Sequence, residues 1–165
     1  MFELKPLSPA AITAALAKAE RYRLLNEPEQ CESICEDILR TDPDNHGARI
    51  ALILAITDSF PRTTRAAVRA TDLVAALPSE YDRCYYGGLV AERRGRAVLS
   101  GGGLGRRAAT PWLQQAMADY ERADALRPPE HDDARLRWNA CARVFNAHPD
   151  LLEEDDQPGT PIMLE

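Results

Sequence analysis

Lysine is almost absent from this 165-residue sequence: only Lys5 and Lys18 occur among its 20 basic residues, so arginine carries nearly all of the positive charge. Long apolar runs are absent too. A run such as Ile50 to Ile56 falls far short of the roughly 20 residues that cross a bilayer, which excludes a membrane-spanning helix. The first residues lack the charged-then-apolar pattern of a secretory signal, so we expect a cytoplasmic protein.

A catalytic arrangement is also missing. His46, His131 and His148 have no neighbouring Ser or Cys nucleophile paired with a carboxylate. The glycine-rich stretch from Ser100 to Gly105 is not followed by the Gly-Lys-Ser/Thr of a phosphate-binding loop. We therefore expect neither enzyme activity nor a cofactor.

The net charge of −6 is concentrated after Ala147. That stretch carries six acidic residues and no Lys or Arg, which leaves 20 acidic against 20 basic residues in the rest of the chain. A neutral body with an acidic tail disfavours nucleic acid as a partner, because nucleic-acid binding normally needs a strongly positive surface.

Four cysteines, Cys31, Cys35, Cys84 and Cys141, lie in apolar helical stretches, which favours free thiols in a reduced compartment over a disulfide framework. Cys31 and Cys35 stand four residues apart and could supply two corners of a metal site. The alternative is that both pack as small core residues. We favour packing and expect no metal.

What the sequence does contain is helical periodicity, with apolar residues at three- and four-residue spacings in seven segments. Ser8-Pro9, Ser79 and Thr110-Pro111 are typical helix starts. The predicted helices cover about residues 9–25, 29–41, 46–59, 63–77, 80–99, 111–126 and 131–147. The predicted fold class is all-α.

Three of the helix pairs end in a proline at a matching place, namely Pro43, Pro78 and Pro128. Pro78 follows Pro43 by 35 residues and Pro128 follows Pro78 by 50, so about sixteen residues are inserted between the helices of the third pair. Small or aromatic residues stand at set spacings within the first pair: Ala15, Ala19, Tyr22, Cys31 and Cys35. This pattern resembles the tetratricopeptide repeat, which has two helices in about 34 residues and a closing proline.

The resemblance implies an α-solenoid of three helix pairs plus a capping helix over residues 1–147, with an insertion loop at about 97–110 and an acidic, flexible tail over 148–165. It also implies a concave groove lined by the first helix of each pair, where a partner's peptide or helix would bind. The residues that the resemblance places in this groove are Leu16, Glu20, Arg23, Leu54, Asp58, Asp82, Tyr85, Leu89 and Arg93.

Five arginines flank the glycine-rich stretch: Arg93, Arg94, Arg96, Arg106 and Arg107. Guanidinium groups hold carboxylates and phosphates with two parallel hydrogen bonds, so this cluster is a candidate patch for an anion or a partner. The alternative is a solvated helix end followed by a linker.

Three functions remain open from the sequence. The first is a protein-interaction module or adaptor that binds a partner protein in the groove. The others are a small tetratricopeptide-type chaperone for a secreted partner and a binder of an anionic ligand through the arginine cluster. The tail has an acidic run, Glu153 to Asp156, and an apolar end, Ile162 to Leu164. It could fold back on the arginines. Either the tail or the groove could also mediate self-association.

Overall fold

The computed structural model describes residues 2–60, 64–101 and 103–152, and these residues form seven α-helices and no strand. The helices are α1 (Ile12–Leu24), α2 (Pro28–Thr41), α3 (His46–Asp58), α4 (Thr64–Ala75), α5 (Glu80–Ser100), α6 (Thr110–Leu126) and α7 (Asp133–Ala147). Short 3-10 helices cover Pro9–Ala11, Gly103–Ala109 and Pro149–Leu151. The prediction of an all-α fold is confirmed.

The helix boundaries follow local signals in the sequence. Asn45 caps α3 by accepting a hydrogen bond from the Ala48 backbone N–H at 2.9 Å, and Ser79 caps α5 through the Asp82 N–H at 3.3 Å. Ser8, by contrast, makes no side-chain capping bond, and the chain there begins with a 3-10 turn. The helices α2, α4 and α6 all end two or three residues before the prolines that the sequence pattern singled out.

Consecutive helices pack against each other, and the odd-numbered helices also touch in sequence: α1 contacts α3, α3 contacts α5, and α5 contacts α7. Within the described residues, no two even-numbered helices are packed to a comparable extent. The odd helices therefore form the tighter, inner layer of an α-solenoid, and the even helices form the outer layer.

The predicted insertion loop is shorter and more ordered than expected. The helix α5 continues through Ser100, and Gly103–Ala109 forms a 3-10 helix that packs against α5 and α6. Ala109 is fully buried in the core that α5, α6 and α7 share. The glycine-rich composition concealed this packing, because an apolar period that would predict it is absent from the segment.

The apolar core has two main parts. One part joins α1 to α5 and includes Cys31, Cys35, Ile53 and Val74; the other joins α5, α6 and α7 around Tyr120. Adjacent residues of α5, Val90 and Ala91, belong to one part each, so this long helix connects the two. None of the described helices combines the length and the apolar content needed to span a membrane.

Candidate interaction face

The candidate site is the face that α1, α3, α5 and α7 present, which carries most of the residues predicted for the groove. At the end of this face where α1 and α3 finish, Asp58 of α3 pairs with two arginines at once. Arg23 Nε lies 2.6 Å from Asp58 Oδ2, and one terminal nitrogen of Arg93 lies 2.7 Å from Oδ1. These side chains are between 18% and 27% exposed, so the ion pairs are accessible from the surface without being fully solvated.

The repeat spacing explains why these three residues meet. Arg23, Asp58 and Arg93 stand 35 residues apart, the same interval that separates Pro43 from Pro78. Residues one repeat apart occupy equivalent places on neighbouring helices of a solenoid. The opposite charges therefore line up across three helices.

Arg93 is held more firmly than the other two. The same terminal nitrogen donates to the Leu54 carbonyl oxygen at 2.9 Å and to the Thr57 hydroxyl oxygen at 2.6 Å. Burial lowers the pKa of Arg93, an effect that the negative charge of Asp58 opposes. Its bonds to α3 define one position for this guanidinium.

The apolar members of the predicted groove are less available than expected. Leu89 is 1% exposed, which corrects its assignment to the groove: its side chain belongs to the core between the helices. Leu16 and Leu54 are half-buried, and Leu16 packs over Gly47, where a Cβ would lie only 2.8 Å from it. Glu20 is exposed.

Two other predicted residues, Asp82 and Tyr85, lie near the amino-terminal end of α5. Asp82 Oδ2 is 3.3 Å from His46 Nε2 on α3. Tyr85 lies in an aromatic cluster, with ring centroids 5.9 Å from Tyr81, 5.1 Å from Tyr86 and 5.9 Å from Tyr120. Tyr85 is thus surrounded by other rings.

The hydroxyl groups of Tyr81 and Tyr86 resist ionisation. Burial, followed by nearby acidic side chains, raises the pKa of Tyr81 and of Tyr86 to about 12. The Tyr81 hydroxyl also lies 2.9 Å from His131 Nδ1. These two tyrosines are therefore uncharged near the amino-terminal end of α5.

The arginines of the predicted patch lie in different surroundings. Arg93 reaches α3, and Arg94 stacks over the Trp112 ring of α6 at 3.8 Å. Arg96 pairs with Glu92 at 2.7 Å, and Arg106 lies 3.0 Å from His148 Nδ1 beyond α7, while Arg107 is exposed. The structure therefore divides the cluster among several surfaces.

Sequence reasoning missed the buried carboxylate of Glu92, which is 1% exposed. The Tyr120 hydroxyl donates to Glu92 Oε2 at 2.8 Å, Arg96 Nε donates to Oε1 at 2.7 Å, and Arg137 of α7 lies 3.6 Å from Oε2. One signal in the sequence could have indicated that this position is buried. At the equivalent places one and two repeats earlier, the sequence has the uncharged residues Thr57 and Tyr22.

The Glu92 network also affects its neighbours. Burial and the charge of Glu92 raise the pKa of the Tyr120 hydroxyl. Burial lowers the pKa of Arg137, but its hydrogen bond to Tyr85 and the charge of Glu92 outweigh that effect, so the pKa rises. Arg137 thereby joins α7 to the same face as Arg93.

A separate cleft of about 280 Å³ lies between α6 and α7. Trp138 Nε1 donates to Glu121 there at 3.0 Å, and Arg135 pairs with Asp124 at 2.9 Å. Two polar side chains of the cleft, Trp138 and Arg135, thus pair with acidic residues that also line it. The described residues contain no group of three or more His, Cys, Asp or Glu side chains that could hold a metal ion.

Cys31 and Cys35 are fully buried, and their sulfur atoms are 4.0 Å apart.

The tail segments Glu153 to Asp156 and Ile162 to Leu164 lie outside the described residues.

The thiols provide a test of the core. All four cysteines are free and buried, and burial raises the pKa of Cys141 to about 12. The hydrogen bond with Cys31 raises the pKa of Cys35, whereas that of Cys31 is lowered. Because a buried thiol is out of reach of the reagent, we expect slow reaction with Ellman's reagent in the native protein and rapid reaction of all four in denaturant. A thiol that reacts rapidly in the native state would contradict this packing.

Comparisons of the sequence with protein-family models, with curated proteins and with solved structures each found no match. The resemblance to tetratricopeptide repeats therefore depends on the residue pattern and the helix packing of this chain alone.

Proposed function

We propose that this chain is a protein-interaction module whose inner face, formed by α1, α3, α5 and α7, binds a segment of a partner protein. The observation that carries the proposal is the alignment of Arg23, Asp58 and Arg93 across three helices. These half-buried charges form a surface with defined positions, which is suited to binding because little side-chain freedom is lost on contact.

The resemblance to tetratricopeptide repeats supports the same proposal, since the inner helices of such solenoids are where partners commonly bind. The five-arginine patch as a whole is a weaker basis for function, because the structure divides its members among several surfaces.

Site-specific photocrosslinking tests the proposal. A photoreactive amino acid replaces Glu20, which is exposed on α1, and in a separate variant replaces Val68, which is 56% exposed on the outer helix α4. In an extract of the source cell, we expect the same partner protein to be crosslinked repeatedly from position 20 and not from position 68. Circular dichroism would establish that both variants keep their helix content.

Crosslinking of one partner from position 68 alone, or equally from both positions, would contradict binding at the inner face. Absence of any protein crosslinked from position 20 would also argue against the module.

A further inference from the structure

We propose that the segment bound at the inner face is acidic and that its carboxylates bind to the arginines at one end of that face. The inference depends on the proposed function, because it specifies the partner of the same surface. It follows from how four arginines share two carboxylates: Arg23 and Arg93 share Asp58, and Arg96 and Arg137 share Glu92. These four arginines are called the arginine row.

The arginine row is continuous because Glu92, Arg93 and Arg96 all lie within about one turn of α5. Arg23 of α1 is connected to this turn through Asp58, and Arg137 of α7 is connected through Glu92. The row therefore crosses all four inner helices. It has two more arginines than carboxylates.

Two members of the row have donors to spare. Arg23 pairs with Asp58 through Nε, and Arg96 pairs with Glu92 through Nε. Within the part of the chain that the structure describes, the terminal nitrogens of these two residues have no hydrogen-bond partner. Their side chains are 27% and 42% exposed, so a ligand can reach them.

A carboxylate is the group that these donors fit. The planar guanidinium fork matches the two oxygens of a carboxylate, and such bonds are among the stronger ones in proteins. The surroundings are half-buried, so an added negative charge is attracted more strongly than it would be in bulk water. An acidic side chain of a partner supplies that charge without displacing Asp58 or Glu92.

The opposite end of the face carries acidic side chains instead of arginines. Asp82 near the start of α5 and Asp133 at the start of α7 pair with histidines, His46 and His131, at 3.3 Å each. The tyrosine cluster lies on the same face. A bound segment should therefore have its acidic residues at the arginine row and neutral or basic residues at the other end.

This two-ended charge distribution favours a protein segment over a nucleic acid. A phosphate backbone carries negative charge along its whole length, and Asp82 and Asp133 would repel it. The small positive excess of the row matches a few carboxylates instead.

The experiment uses the purified full-length chain to select peptides from a phage-displayed random library. We expect the selected peptides to be enriched in Asp and Glu. Replacing those residues of a synthetic selected peptide by Gln and Asn should weaken its binding by about tenfold or more. This comparison changes the peptide and leaves the protein intact, so no folding defect can explain the result.

Protein variants then locate the contact. R23A should weaken binding of the acidic peptide by about tenfold, whereas R143A, at an exposed arginine of α7, should leave it unchanged. Selected peptides without acidic enrichment, equal binding of the Gln and Asn version, or equal effects of R23A and R143A would each overturn the inference. A failure to select any peptide would overturn it as well.

The outcomes separate the two proposals. Crosslinking from position 20 together with peptides that lack acidic residues would keep the module and reject the acidic partner. Tighter binding of a single-stranded oligonucleotide than of the acidic peptide, lost in R23A, would reject a protein segment in favour of nucleic acid.

Discussion

Alanine in place of Gly88 is expected to destabilise the protein by about 1–3 kcal/mol, although alanine is the better helix former. A Cβ at this position would lie 2.8 Å and 2.9 Å from two ring carbons of Tyr120 and 3.1 Å from the Ala116 carbonyl oxygen. The Tyr120 ring cannot move aside easily, because it is fully buried and its hydroxyl is bonded to Glu92. The helices α5 and α6 would have to separate.

The neighbouring glycine is the matched control. At Gly87, the nearest atoms to an added Cβ are Asp119 Oδ2 at 3.7 Å and Val74 Cγ1 at 3.9 Å, which are ordinary contacts. G87A should therefore stabilise the protein by roughly 0.5–1 kcal/mol, the usual difference between glycine and alanine within a helix. Urea unfolding followed by circular dichroism gives both values through the transition midpoint at constant slope. A G88A variant as stable as G87A would show that α5 and α6 are not in this close contact.

The E92Q substitution is expected to destabilise the protein by about 3 kcal/mol, at the lower end of the range for breaking a buried ion pair. The neutral amide removes the negative charge that Arg96 and Arg137 face. Its NH2 group also adds a hydrogen-bond donor beside groups that are themselves hydrogen-bond donors. We expect a loss of stability at the lower end of that range because these arginine side chains are 42% and 38% exposed and can turn towards water. The buried Tyr120 hydroxyl cannot do so.

The matched control is the same Glu-to-Gln substitution at Glu121. Glu121 also accepts a hydrogen bond from an aromatic side chain, Trp138, but it is exposed, so E121Q should change stability by less than about 0.5 kcal/mol. A double-mutant cycle with Y120F then measures the coupling between Tyr120 and Glu92, for which we expect about 1–3 kcal/mol. Additive effects of E92Q and Y120F would contradict the hydrogen bond between the two side chains.

Both predictions concern the α5–α6 contact, which the sequence indicated only in part. Small residues let two helices approach closely, and Gly88 and Gly95 of α5 face Tyr120 and Leu113 of α6. The sequence alone does not distinguish Gly88 from its neighbour Gly87. That difference depends on the rotation of α5 against α6, which packing decides.

The charged residues show the same limit of prediction from the sequence. The sequence places Arg23, Asp58 and Arg93 at intervals of 35 residues, and the structure joins their side chains in two ion pairs. The sequence could not show that Glu92, one residue before Arg93, turns into the core towards Tyr120. Neighbouring helical residues point about 100° apart, so they can have opposite environments.

The sequence by itself determined that the chain is all-α, where its helices begin and end, and at what interval the pairs repeat. These features depend on caps, prolines and apolar spacing, and such signals act over a few residues. Only the tertiary structure decided that the segment Gly103–Ala109 packs against α5 and α6, that Leu89 is buried, and which partner each arginine takes. A long arginine side chain can reach several neighbours, and its choice depends on the distances between helices that lie tens of residues apart in the chain.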